Sequence, residues 1–180
     1  MSETAESVFR RTLVLALWDL LREYGSPPLG DMTVIEPSPA TDARVAGIIG
    51  FTESRFGGFV AIQTYPEVVA KILPEEIRGR ISERVIADWM GELSNQLLGR
   101  TKNKMLRYGV SFQMSPPTSV SGLMLNITPH DAGSRAWMEV ETEAGPLQVL
   151  VDFRSEHEVC LVESDDSAAV AVSEGDMMLF

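Results

Sequence analysis

The sequence predicts an α+β domain in which long helices pack on one face of an antiparallel-rich sheet. Three observations carry this: two long stretches with apolar residues at helical spacing, a series of short β-branched and apolar runs, and Gly- or Pro-containing turns between those runs. Residues 4 to 24 place Val8, Leu13, Leu17, Leu20 and Leu21 on one helical side, and Gly25 followed by Pro27 and Pro28 ends the helix. Thr33 to Glu36, Ala43 to Thr52 and Gly58 to Thr64 read as strands, the last two joined by Glu53-Ser54-Arg55-Phe56-Gly57 as a hairpin turn to which Gly57-Gly58 is assigned. Tyr65 to Leu73 reads as a short helix. Pro74, Glu75 and Glu76 open a charged stretch leading to a long helix over about 82 to 107, with Ser82 as its cap. Arg100, Lys102, Lys104 and Arg107 crowd its C-terminal turns, where cations favour the macrodipole. Val110 to Met114, Ser134 to Thr142 and Leu147 to Phe153 supply later strands, the last two turning about Ala144-Gly145-Pro146, and a further strand is expected near 159 to 162.

Composition narrows the function classes. A chain of 180 residues with 44% apolar content can bury one core, and it holds no apolar run long enough to span a bilayer. The first residues, Met-Ser-Glu-Thr-Ala-Glu-Ser, are acidic where a secretory signal is basic and then apolar, so a cytoplasmic location is expected, away from membranes. On that expectation Asn126-Ile127-Thr128 is a chance match to a glycosylation acceptor. Cys160 is the sole cysteine, and His130 and His157 stand 27 positions apart (157 − 130), so neither a disulfide nor a metal-ligand spacing is present. The net charge of −11 argues against a nucleic-acid partner. Residues 155 to 180 contain seven acidic residues and no Lys or Arg, which leaves −4 for the first 154. The expected organisation is therefore a domain over 1–163 and an acidic C-terminal tail over 164–180, with Ser164 to Ala168 as a joint.

The most informative stretch is Asp-Trp-Met-Gly-Glu-Leu-Ser-Asn-Gln-Leu-Leu-Gly at 88 to 99. At about 100° per residue, Ile86, Met90, Leu93 and Leu97 share one side of the helix while Asp88, Glu92, Asn95 and Gly99 gather opposite. Glu92 and Asn95, three apart, project from one patch, and Gly99 leaves the next turn bare. The first helix carries an echo of this spacing in Asp19, Glu23 and Ser26, compatible with an internal duplication in which one copy has lost its amide.

The string Asp88-x3-Glu92-x2-Asn95-x3-Gly99, followed by Pro116-Pro117 in the next strand region and preceded by Gly47-Ile48-Ile49-Gly50-x7-Gly58, resembles the CheX/CheC/FliY family of chemotaxis phosphatases over about residues 5 to 153. It is most similar to the CheX branch, which has a single working Glu-x-x-Asn motif. The resemblance implies a CheX/CheC-like fold and hydrolysis of the aspartyl phosphate on a phosphorylated CheY-type receiver, in chemotaxis signal termination. It implies Glu92 and Asn95 as the catalytic pair, Glu92 gripping the receiver's lysine and Asn95 positioning the attacking water. Asp88, Glu92, Asn95 and Gly99 would form the partner-binding face. No cofactor of its own is implied; Mg2+ would sit in the partner receiver, and pairing into a homodimer through strands is expected.

The chemistry is physically reasonable. An aspartyl phosphate beside a divalent cation and a lysine lacks only a placed water, and a neutral carboxamide can hold that water without repelling the phosphoryl group. A carboxylate is better used as a grip on a cation. Asp88 orients a neighbour or merely solvates the helix, and Trp18, Trp89 and Trp137 read as core or interface anchors. The alternative from another class is a non-catalytic receiver-binding or flagellar-switch interaction module, which would use the same face.

Overall fold

The structure, a computed structural model, describes residues 2–36, 42–123, 125–128 and 133–163. The acidic tail at 164–180 and His130 lie outside the described residues. In chain order the elements are β1 (Glu3–Thr4), α1 (Ala5–Glu23), β2 (Thr33–Ile35), β3 (Ala43–Thr52), β4 (Phe56–Thr64), α2 (Pro66–Ile72), α3 (Glu75–Arg78), α4 (Glu83–Met105), a 3-10 turn (Leu106–Tyr108), β5 (Gln113–Met114), β6 (Thr118–Leu123), β7 (Ser134–Thr142), β8 (Gly145–Ser155) and β9 (Cys160–Leu161). Among the described residues no helix is long and apolar enough to cross a membrane.

Seven strands form one antiparallel sheet in the order β2-β7-β8-β4-β3, and the outer side of β3 is shared by β5 and β6. Val45, Ile49 and Phe51 of β3 join the core beneath the helices. There Phe9 of α1 stacks on Phe51 at 4.4 Å, with Phe112 and Phe153 tilted against both rings. Helices α1 and α4 lie across this face antiparallel to one another, as their contacts show: Asp19 meets Lys104, Glu23 meets Arg100, and Tyr24 meets Gln96.

Both long helices begin where side-chain caps dictate. Thr4 Oγ1 accepts from the Ser7 N–H at 3.2 Å, and Ser82 Oγ accepts from the Val85 N–H at 3.3 Å. Helix α1 closes at Tyr24, and Gly25 follows at φ 65°. The strand expected near 159 to 162 is β9, which pairs with β1 through Glu3↔Leu161 and Thr4↔Cys160 and so brackets the N-terminus of α1.

Several expectations are corrected. The segment Thr118–Leu123 is a strand along β3, and Pro116-Pro117 forms the link from β5 to β6 rather than lying within a strand. Glu75–Arg78 forms a helical turn within the charged stretch. The β7–β8 turn is Glu143-Ala144, because Thr142 pairs with Gly145. Gly57 and Gly58 lie inside β4 and do not make the turn: a Cβ on Gly58, at φ 152°, would sit 1.9 Å from the Asp152 carbonyl of β8.

Candidate functional site

Helix α4 owes its position to small residues on both sides of its contact with the sheet. A Cβ on Gly47 of β3 would stand 2.3 Å from the Met90 carbonyl oxygen, so only glycine permits this approach. On the helix itself, Gly91 faces β6, where an added Cβ would meet Ser119 Oγ at 3.0 Å and Pro117 Cβ at 3.9 Å. Ser119 Oγ donates to the Ala87 carbonyl at 2.6 Å, which pins the same turn of α4 to β6. Met90, Leu93, Leu97 and Leu98 are buried on the inner side, and the buried hydroxyls of Ser94 and Thr101 donate back to Met90 and Leu97 carbonyls.

With that side committed to the core, the opposite side is presented. Asp88, Glu92 and Asn95 are exposed and Gly99 is half-buried, so the four residues selected from the sequence share one outward strip of α4. A Cβ on Gly99 would meet nothing within 4 Å, so no packing among the described residues calls for glycine there. The Asn95 side chain makes no hydrogen bond to any described residue. Asp88 lies 3.7 Å from Arg84 one turn earlier; with side-chain exposures of 73% and 90% this pair is screened and contributes little.

Glu92 is not free in the same sense. Its Oε1 accepts from Gln96 Nε2 at 2.7 Å, and Gln96 Oε1 accepts from the Tyr24 hydroxyl at 2.7 Å. Tyr24 stands edge-on to Trp89, ring centres 5.1 Å apart and planes at 85°. Burial pushes the Tyr24 hydroxyl above its usual pKa of 10.0; the hydrogen bond to Gln96 and Arg100 pull the other way, while Glu23 and Glu92 add to the rise. Sequence reasoning missed Tyr24 and Gln96. Gln96 sits one turn after Glu92, a spacing that signals side-chain contact, but Tyr24 is 72 positions away and nothing local announces it.

A groove of about 390 Å³ lined by Ile77, Arg80, Val85, Asp88, Trp89 and Glu92 opens beside this strip. A larger cavity, about 670 Å³, lies between the β3–β4 turn and residues 154 to 157 and shares no residue with the strip. We locate the site by its chemistry, a paired carboxylate and carboxamide, rather than by cavity size.

The three echo residues all have partners within the chain. Asp19 binds Lys104 at 2.7 Å, Glu23 pairs with Arg100, and Ser26 lies beyond the helix, buried, donating to Thr142 Oγ1 at 2.9 Å and accepting from the Ala144 N–H at 3.1 Å. These residues are spent on joining α1 to α4 and to the β7–β8 turn. Arg100 and Lys104, near the end of α4, thereby have cross-helix partners as well as a favourable macrodipole.

The fold is that of a class, the CheC/CheX-like proteins of chemotaxis. The chain matches a CheC-like superfamily protein from Shewanella sp. PV-4 at 22% identity and TM-score 0.67, covering 82% of this chain and 98% of that one. It matches chemotaxis protein CheX from Vibrio vulnificus at 22% identity and TM-score 0.67, covering 81% and 96%. A CheX–CheY–BeF3–Mg2+ complex from Borrelia burgdorferi contains a further structural relative, 14% identical at TM-score 0.63, covering 82% and 98%. None of the curated proteins matches the sequence significantly. The model of the family "Chemotaxis phosphatase CheX" matches residues 45–141, from β3 through nearly all of β7, and the chain belongs to that family.

Proposed function

We propose that this chain accelerates hydrolysis of the aspartyl phosphate on a CheY-type receiver, with Asn95 and Glu92 as its working pair. The observation that carries the reading is the strip itself: a carboxamide with no hydrogen-bond partner among the described residues, three residues from a held carboxylate, on the outward side of α4. Docked over the phosphorylated aspartate, Asn95 accepts from and donates to a water, aligning it with phosphorus opposite the aspartyl oxygen. The water oxygen bonds to phosphorus, the P–O bond to the aspartate breaks, the receiver regains its carboxylate, and inorganic phosphate leaves. Glu92 grips the receiver's lysine, Asp88 faces the partner alongside it, and Gly99 lets the partner backbone approach.

In this account Mg2+ and the lysine come from the receiver; the solved Borrelia relative that holds CheY with BeF3 and Mg2+ supports that partner type. Residence in the cytoplasm follows from the partner. Homodimerisation through strands is part of the proposal too, supported by Val34 on β2 and Leu123 on β6, which are exposed by 77% and 74% at the two edges of the sheet. Mixing the chain with a radiolabelled phosphoreceiver and following label release tests the reading. Release faster than the receiver's own supports it; binding without faster release would show a non-catalytic interaction module.

A further inference from the structure

A carboxylate that must grip a cation on a passing partner gains from being held before the partner arrives, because each rotamer-rich side chain ordered on binding costs free energy. Glu92 is exposed and carries three side-chain torsions, yet one of its oxygens is already occupied inside the monomer. The polarity of the chain that holds it follows from chemistry. A carboxylate only accepts, so Gln96 must turn its NH2 toward Glu92; that leaves the amide oxygen for Tyr24, whose hydroxyl must then donate. A tyrosine hydroxyl, with its usual pKa of 10.0, carries its proton at neutral pH, and burial pushes it further up. Tyr24 is itself fixed, being the residue that ends α1, packed edge-on to Trp89 and directly preceded by Glu23, which pairs with Arg100 of α4.

We propose that Tyr24 and Gln96 are positioning residues that pre-set Glu92 for the receiver's cation, holding Oε1 and leaving Oε2 presented. The inference rests on the function proposed above and adds the device by which one helix tunes the working residue of another. Tyr24 and Gln96 do not touch the reacting atoms. Their loss therefore raises KM for the phosphoreceiver and leaves kcat near its parent value, and it does so only while Glu92 is present.

The test is steady-state dephosphorylation of a phosphorylated CheY-type receiver by the full chain, comparing the parent with Tyr24→Phe, Gln96→Leu, Glu92→Ala and the two double variants that include Glu92→Ala. Tyr24→Phe keeps the ring against Trp89 and removes only the hydroxyl, so it folds even if Gln96→Leu does not. The expected result is a rise in KM of about three- to tenfold for each single change, the loss associated with unfixing one side chain. In the Glu92→Ala background neither change raises KM further. Unchanged KM in both single variants, or the same rise with and without Glu92, overturns the positioning role while leaving the grip intact. If Glu92→Ala itself leaves KM unchanged, the grip assigned to Glu92 fails first and the positioning role fails with it.

Discussion

Gly47 and Ser94 face each other so closely that a Cβ on the glycine would lie 2.2 Å from the serine Oγ. The Met90 carbonyl closes the same gap, and backbone cannot swing aside as a side-chain tip can. Gly47→Ala is therefore expected to lift α4 from β3 at a cost of about 1–3 kcal/mol, the range for overpacked cores. A fall in thermal midpoint of several degrees checks this, since about 1 kcal/mol corresponds to roughly 2–4 °C in a domain of this size. Phosphatase activity should fall in the surviving folded protein as well, because α4 carries the proposed site. An unchanged midpoint would mean that the two elements are less tightly apposed.

Gly99 presents the opposite case. With nothing within 4 Å of a built Cβ, Gly99→Ala should stabilise α4 by up to about 1 kcal/mol through helix propensity. If the partner's backbone approaches this bare spot, the same methyl should weaken receiver binding. Calorimetric titration alongside thermal melts separates the two effects. Higher stability with unaltered affinity would remove Gly99 from the partner face.

Glu92→Gln preserves shape and removes charge. Affinity for the phosphoreceiver should drop by about five- to thirtyfold, or about 1–2 kcal/mol, between the values for exposed and for desolvated ion pairs. Turnover of the saturated complex should change less. Added salt should weaken parent binding more than variant binding, because the ion pair is screened. A variant with parental affinity but lost turnover would exchange the roles of Glu92 and Asn95.

The extent of the fold legible from sequence follows physical lines. The long helices could be read because their apolar spacing, the Ser82 cap of the second and the Gly25-Pro27-Pro28 stop of the first agree locally. The face of α4 was legible for the same reason. The strand Thr118–Leu123 was not, since Thr-Ser-Val-Ser-Gly-Leu runs along an edge where most of its residues stay exposed or half-buried, and no hydrophobic alternation marks it. Gly58 shows a different limit: its need for glycine comes from β8, 94 positions later at Asp152, which no local pattern encodes. The echo in α1 repeats the spacing without repeating the environment. Asp19 and Glu23, though exposed, are paired across to α4 with Lys104 and Arg100.

The boundary proposed after Glu163 can be tested by truncation. Strand β9 pairs with β1, and the Ala5 N–H donates to the Val159 carbonyl at 2.7 Å, so a chain ending at Glu163 retains these ties. Removing residues 164–180 is expected to leave the thermal midpoint nearly unchanged. Ending the chain at Ser155 instead removes β9 and should lower it. A fall of more than about 5 °C on removal of 164–180 alone, more than about 1–2 kcal/mol, would make the tail part of the fold.

The most direct measurement is the rate of phosphate release from a phosphorylated CheY-type receiver with parent protein and with Asn95→Ala. Asn95 is exposed and bonded to no described residue, so its truncation leaves the fold intact and removes only the amide that would hold the water. The account predicts a loss of about ten- to a hundredfold in the accelerated rate, the scale of one lost transition-state hydrogen-bonding group, with receiver affinity little changed. Dephosphorylation by Asn95→Ala at the parental rate would contradict it.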